Sequence, residues 1–262
     1  DNLFMAEGAE VKIKSLKKMM DVLNCFIEKQ PLGVTEISEK LGLYKSNVHN
    51  ILSTMVSMDY LEQDKISGKY YLGIGVVRLS RAVGNRFSFH NAALYHMQAI
   101  SHEAGEIVYL SVPMKRMIYY LDAILPERVY YLNYSGRFVS NYRDSTEMMH
   151  CTASGKAMLA TMCKADQEEY LSKPLDACTP HSITDPDVLR LQLQKIREQG
   201  YAVDDEEAEE GLRCIAVPIR SQEGGLLGAI SISGPKERMT ADILPKYSEM
   251  LKAHVHDIEH GI

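Results

Sequence analysis

Residues 34–58 read VTEISEKLGLYKSNVHNILSTMVSM, and the period of that stretch decides the fold around it. Val48, Ile51, Leu52 and Met55 recur at the i, i+3, i+4, i+7 spacing that lays an apolar stripe along one face of a helix. The outward positions are Ser46, Asn47, Asn50, Ser53 and Thr54, with His49 on one flank. That face has hydrogen-bonding capacity and almost no charge, whereas a surface helix of this length is ordinarily laced with Glu and Lys. Just upstream, Val34, Ile37 and Leu41 predict a shorter amphipathic helix, and Gly42 supplies the break before Tyr44. A helix, a tight turn and a second helix with an amide-rich outer face make the helix-turn-helix plan, whose second helix enters the major groove of duplex DNA. Lys45, Ser46, Asn47, His49 and Asn50 are therefore the candidate DNA contacts. The competing reading is a helix-turn-helix surface used for protein contacts.

Working outward, Ser15 is the expected N-cap of a preceding helix. Its predicted stripe is Leu16, Met19, Met20, Leu23, Phe26 and Ile27, and Gln30-Pro31-Leu32-Gly33 ends it. After Met58, residues 60–64 and 69–72 read as two short strands with Ser67-Gly68 in the turn. A hairpin directly after a recognition helix is a wing, and Lys65 at its tip and Lys69 beside it are candidate phosphate contacts. The plainer alternative is that both lysines are solvated loop charges.

At 262 residues the chain suits two modest domains or one large one. A net charge of −6 argues against a general nucleic-acid binder. The charge is uneven, however: eleven Lys and Arg against seven Asp and Glu between Val11 and Ala82 leave that window at about +4 and the remainder at about −10. Such asymmetry points to a localised nucleic-acid face. No apolar run is long enough for a membrane span, and no secretory leader is read at the start. The five cysteines (Cys25, Cys151, Cys163, Cys178 and Cys214) show neither close pairs nor CxxC spacing, which fits a reducing cytoplasm rather than a disulfide framework or zinc site.

Residues 74–83 and 89–104 read as two helices, a connector and dimerisation segment or else ordinary packing helices. From Gly105 the pattern turns to strands at 107–112, 117–123 and 129–133. Helices follow at 152–162, 166–172 and 186–198, the last closed by Gly200. Strands at 213–220 and 226–233 are joined by Gln222-Glu223-Gly224-Gly225, and a last helix runs over 240–260. A mostly antiparallel sheet flanked by helices makes the second domain α+β.

Three polar spots interrupt these patterns. His150-Cys151-Thr152-Ala153-Ser154-Gly155-Lys156 stands at a predicted helix start, where free amides and the helix dipole favour an anion. The second runs from Tyr201 through Asp204-Asp205-Glu206-Glu207 to Gly211-Leu212-Arg213-Cys214. In the third, Ser231 and Ser233 point the same way from a strand, so they either hold a carboxylate together or line a solvent face.

Taken together, the motifs resemble the IclR family of transcriptional regulators. The matching stretches are Ser46-Asn47-Val48-His49-Asn50-Ile51-Leu52, Thr152-Ala153-Ser154-Gly155-Lys156-Ala157, Asp204-Asp205-Glu206-Glu207 with Gly211-Leu212-Arg213-Cys214, and Ile230-Ser231-Ile232-Ser233-Gly234-Pro235. The resemblance implies a winged helix-turn-helix domain, a linker helix and a GAF-like domain that binds a small organic acid. Carried onto this chain, the site uses the backbone amides of Ala153, Ser154 and Gly155 and the side chains of Asp204, Cys214, Ser231 and Ser233, with Leu212 and Met149 as apolar wall. Two departures matter. Asn50 stands where family members commonly carry arginine, and asparagine suits adenine; residues 131–149 show no match.

The expected division is a flexible arm (1–10), a winged helix-turn-helix domain (11–73), a linker helix (74–88) and a GAF-like effector domain (89–262). The expected function is a ligand-responsive regulator, a repressor of a catabolic operon. Its expected partners are double-stranded operator DNA, an effector that is a 2-oxo acid, a sugar acid or an aromatic acid, and its own copies in a homodimer or homotetramer. No catalytic set, metal set or cofactor is expected. One rival class is a thiol-dependent enzyme using His150 or Cys151 with Asp204 and Cys214, although no nucleophile-elbow or metal-ligand spacing supports it. The other is a cyclic-nucleotide sensor, for which no purine-stacking aromatic is identified. Cys214 itself reads as an effector contact, a redox thiol or a small buried residue.

Overall fold

The computed structural model describes residues 11–84, 89–126 and 145–261. The chain divides into two compact units, Asp1–Phe87 and Ser88–Ile262. The expected arm, residues 85–88 of the expected linker and the strand expected at 129–133 lie outside the described residues.

In the first unit the helices α1 (Lys14–Glu28), α2 (Val34–Leu41) and α3 (Lys45–Ser57) precede β1 (Leu61–Gln63), β2 (Tyr70–Leu72) and α4 (Ile74–Gly84). Val48, Leu52 and Met55 of α3 are buried against Ile37 of α2 and Val22, Cys25 and Phe26 of α1, so the stripe that predicted the core forms it. The α2–α3 turn closes at Gly42, whose amide donates to Ser38 O and whose left-handed φ of 63° brings the Leu43 amide onto the same carbonyl at 3.1 Å. β1 and β2 pair antiparallel, and Leu32 bridges to Tyr70 on the open side of β2.

The expectations for α1 need two corrections. Ser15 is not the cap: the helix begins at Lys14 after Ile13, with no side-chain cap. The inward face is Val22, Cys25 and Phe26, flanked by Met19 and Leu23, while Leu16, Met20 and Ile27 are exposed. Apolar residues occupy more of the circumference of α1 than one stripe, so periodicity alone did not fix the face.

The second unit is built on a six-stranded sheet of order β5-β4-β3-β8-β7-β6 with every neighbouring pair antiparallel. Its strands are β3 (Ile107–Met114), β4 (Met117–Ile124), β5 (Thr146–Met148), β6 (Ala202–Asp205), β7 (Leu212–Arg220) and β8 (Leu226–Pro235). The helices are α5 (Phe89–Ala104), α6 (Ala153–Thr161), α7 (Lys164–Leu171), α8 (Pro186–Gln199) and α9 (Leu244–His260). α6 packs on β6, β7 and β8 and against α8, in a core that includes Tyr109, Ala216 and Ala229 from the sheet. Strand alternation turns Leu110, Ile215, Val217, Ile230 and Ile232 to the other face, where α5 and α9 pack on β3 and β7. α8 starts and stops as its sequence dictates: Asp185 accepts from the Asp187 and Val188 amides, and Gly200 closes it in the left-handed region. The last helix begins at Leu244, four residues later than its period suggested. The molecule is thus α+β throughout, as expected.

Candidate functional site

Two surfaces carry the polar residues singled out above, one in each unit. In the first, the α3 side chains of Lys45, Ser46, Asn47, His49 and Asn50 are all exposed. None of them makes a hydrogen bond among the described residues. Their donors and acceptors are uncommitted, as base-edge readers require. Further along, Thr54 Oγ1 is spent on Asn50 O at 2.8 Å and Ser57 Oγ on Thr54 O at 2.7 Å, so the free polar face lies mainly in the first two turns of α3, with Ser53 just beyond them.

The two wing lysines differ. Lys65 is exposed at the tip. Lys69, by contrast, lies 3.0 Å from Glu36 Oε2 in an ion pair. Glu36 also accepts from the Gly33 amide at the start of α2 and from Lys29, and the Gly33 amide, Lys29 and Lys69, in that order, hold its carboxyl down at about 2. Lys69 therefore ties the wing to α2, a role the sequence did not suggest.

In the second unit the register of the sheet gathers residues that are far apart in sequence. Asp204 on β6 stands opposite Cys214 on β7, and Cys214 opposite Ser233 on β8. One step along, Ala216 stands opposite Ser231, and Ser231 opposite Tyr109 on β3. All six share the sheet face on which α6 packs. Cys214 Sγ lies 3.0 Å from Ser233 Oγ, and Leu212 begins the same face at its rim. Tyr109 and Tyr120 add aromatic surface, with ring centroids 5.0 Å apart.

Over this face α6 begins. Thr152 is its N-cap and its hydroxyl accepts from Gly155 N at 3.1 Å, so of the three amides expected to meet an anion the Gly155 amide is already taken. Gly155 serves packing instead: a Cβ there would sit 2.2 Å from Met149 O. The amides of Ala153 and Ser154 make no hydrogen bond among the described residues, nor do the hydroxyls of the buried Ser154 and Ser231. Two amides and two hydroxyls at the positive end of a buried helix can hold a carboxylate.

One turn into α6 is a lysine that sequence reasoning passed over. Lys156 has no solvent exposure, and its Nζ pairs with Glu207 Oε1. Glu206, at a left-handed φ of 64°, turns the backbone so that Glu207 faces inward. The Glu207 amide in turn donates to Asp204 Oδ1 at 2.7 Å. Glu207 Oε2 is buried and has no hydrogen-bond partner among the described residues. Two buried carboxyl groups thus face one buried ammonium. Glu207 takes the direct pair, and burial, only partly offset by Lys156, pushes Asp204 up to about 7. The signal was present: a lone lysine in a helix whose other residues are small and apolar must find a buried partner.

Cys214 is held well above the usual thiol range by burial, with Asp204 beside it, so it stays a thiol. Of the enzyme-like grouping, Asp204 and Cys214 come together, but His150 does not join them. His150 Nε2 donates to Asp176 O at 2.8 Å while Nδ1 takes the Tyr170 hydroxyl at 2.9 Å, and burial lowers its pKa. Both ring nitrogens are committed away from Cys214.

These features define a class: a helix-turn-helix DNA reader in one chain with a sensor unit built around a sheet and a buried helix start. Residues 15–65 match the IclR helix-turn-helix domain, residues 81–260 match the C-terminal domain of bacterial IclR transcriptional regulators, and the chain belongs to the IclR family. It is 31% identical over 247 residues to the HTH-type transcriptional regulator KdgR of Dickeya chrysanthemi, covering 94% of this chain and 79% of that one. The Thermotoga maritima IclR crystal structure superposes with a TM-score of 0.75 at 30% identity, covering 95% of this chain and 98% of that one. An IclR homolog from Microbacterium hydrocarbonoxydans, solved in complex with 4-hydroxybenzoate, gives 0.78 at 26% identity, covering 94% and 98%. The protein is a ligand-responsive, DNA-binding transcriptional regulator with an effector-binding domain; its relatives are regulators, not enzymes. Among the described residues no helix is long and apolar enough to cross a membrane.

Proposed function

We propose that this regulator senses a small organic acid at the α6 end of its second unit and acts as a repressor of a catabolic operon in the cytoplasm. The observation that carries the reading is the set of uncommitted donors: the Ala153 and Ser154 amides and the Ser154 and Ser231 hydroxyls, next to the Cys214–Ser233 contact. A carboxylate would take these donors, and Asp204 would accept from a ligand hydroxyl or share a proton with the acid. The 2-oxo, sugar and aromatic acids all fit this chemistry; Tyr109, Tyr120, Met149 and Leu212 supply apolar surface for the rest of the ligand. The aromatic option draws support from the relative bound to 4-hydroxybenzoate.

On the DNA side, Lys45, Ser46, Asn47, His49 and Asn50 read base edges of a double-stranded operator and Lys65 contacts phosphate. Lys69 keeps the wing in place. The proposed domains follow the expected limits, with 11–73 reading DNA, 74–88 linking and 89–262 holding effector. Ile74, Val77, Leu79 and Val83 of α4 are exposed apolar residues, as are Ile13, Leu16, Met20 and Ile27 at α1, and such surface supports assembly as a homodimer or homotetramer. Two copies would place recognition helices on half-sites one helical turn apart or a multiple of it. The effector would then shift the population between two arrangements of the copies, by its differential affinity for them.

The test is a calorimetric titration with glyoxylate, pyruvate, gluconate and 4-hydroxybenzoate, paired with DNA binding. At least one acid should bind without turnover and change DNA affinity. The double variant Ser231→Ala, Ser233→Ala should lose that response and keep DNA binding. A double variant that still responds would place the site elsewhere.

A further inference from the structure

The wing tip presents a side chain that nothing among the described residues of its own unit uses. Ile66 is 98% exposed, in a turn whose backbone is fixed from both sides. Asp64 Oδ1 accepts from the Ile66 amide at 2.7 Å, and Asp64 Oδ2 accepts from Ser67 Oγ at 3.0 Å. The Gly68 amide donates to Asp64 O at 2.8 Å, and Gln63 Nε2 donates to Gly68 O at 2.9 Å. The tip is therefore a built loop rather than a loose one. At its apex, where turn chemistry ordinarily selects polar residues, it carries a β-branched hydrocarbon of restricted χ1 that loses little freedom on contact. The exposed cation Lys65 precedes it, on the same small unit as the uncommitted polar face of α3.

We propose that Ile66 is a wedge. With Lys65 against the phosphates, the Ile66 side chain enters the minor groove of the duplex held by α3 and presses between two stacked base pairs. The occupant is B-form DNA: a cation and an apolar tip side by side match a phosphate rail flanking an apolar base stack. Partial unstacking bends the duplex toward the major groove. Sequence is then read at a step that no donor or acceptor touches, through the ease of deforming it, with pyrimidine–purine steps preferred. The inference rests on DNA binding by this unit and adds a reading residue outside the polar set.

The experiment uses the full chain and duplexes of about thirty base pairs that it selects from a randomised pool, a length that spans two half-sites. 2-Aminopurine is placed in turn along the step under the wing. Wild-type protein should raise the 2-aminopurine emission at one step. Ile66→Ala should lose that rise and weaken binding on the order of tenfold, judged from the hydrocarbon removed, with an unchanged salt dependence. Ile66→Leu should recover most of both. Lys65→Ala should instead lower the salt slope by about one while keeping the emission rise. With Ile66 this exposed, none of these variants is expected to perturb folding. Wild-type affinity and emission in Ile66→Ala would overturn the wedge, as would a change in assembly mass, which would give the tip to a second copy. A wild-type chain that selects no duplex at low salt would instead bring down the DNA reading on which the wedge stands.

Discussion

Asp204 is 2% exposed and shares its surroundings with a second buried carboxyl and a single buried lysine, so its protonation state is tied to folding. An unfolded aspartate titrates near 3.9, whereas burial lifts this one to about 7. The folded chain keeps a proton that the unfolded chain releases. Its contribution is fully present below the unfolded value and is lost as pH rises through about 7. Asp204→Asn should therefore flatten the pH dependence of the second unit's urea midpoint between about 4 and 7; an unaltered slope would contradict the assignment. Lys156→Ala should cost about 3–5 kcal/mol, because it strands the buried Glu207 carboxylate. The paired change Lys156→Met, Glu207→Leu should recover much of that loss, a contrast that circular dichroism in urea measures directly. At this scale the sequence was only partly readable. The polar breaks in the apolar patterns located the stretches, and the family resemblance singled out Asp204, Cys214, Ser231 and Ser233 within them. Lys156, named only as part of the Thr152–Ala157 stretch, had no role until the burial of α6 was known.

Among the elements, α6 and α3 carry the proposed function by opposite means. α6 is buried on every side, and its start is pressed so close to Met149 O that only glycine fits at 155. Gly155→Ala should push the helix start away from Met149 and destabilise the second unit by about 1–3 kcal/mol; a neutral melting temperature would show that the helix start yields freely. α3 instead exposes half its circumference and, among the described residues, leaves the side chains of Lys45, Ser46, Asn47, His49 and Asn50 unbonded. Asn50→Ala should relax base preference at one position of each half-site, at about 1–3 kcal/mol. The helix-turn-helix could be read from period alone because its stripe is one-sided and its turn carries Gly42. α1 could not be read that way, since it bears apolar residues on two faces and only tertiary packing chooses between them. The three amides of α6 were likewise indistinguishable in sequence; the Thr152 cap removes one of them.

For the whole molecule, charge follows function. The first unit is basic within an acidic chain, so DNA affinity should fall steeply with salt while acid binding by the second unit changes little. The order of strands in the sheet, which brings β6, β7 and β8 side by side, was not legible from periodicity, and β6 itself was not read as a strand: register is a property of pairing, and the resemblance named site residues without saying how the strands pair. Regulation by this protein depends, in the proposed function, on the almost uncharged outer face of α3 reading nucleobases. The most direct measurement is selection of duplexes from a randomised pool, in parallel, by the wild-type chain and by the double variant Asn47→Ala, Asn50→Ala. Wild type should yield a two-half-site consensus, and the double variant should bind duplex DNA with that consensus degraded at the positions under α3. Recovery of the same consensus by both would contradict the account.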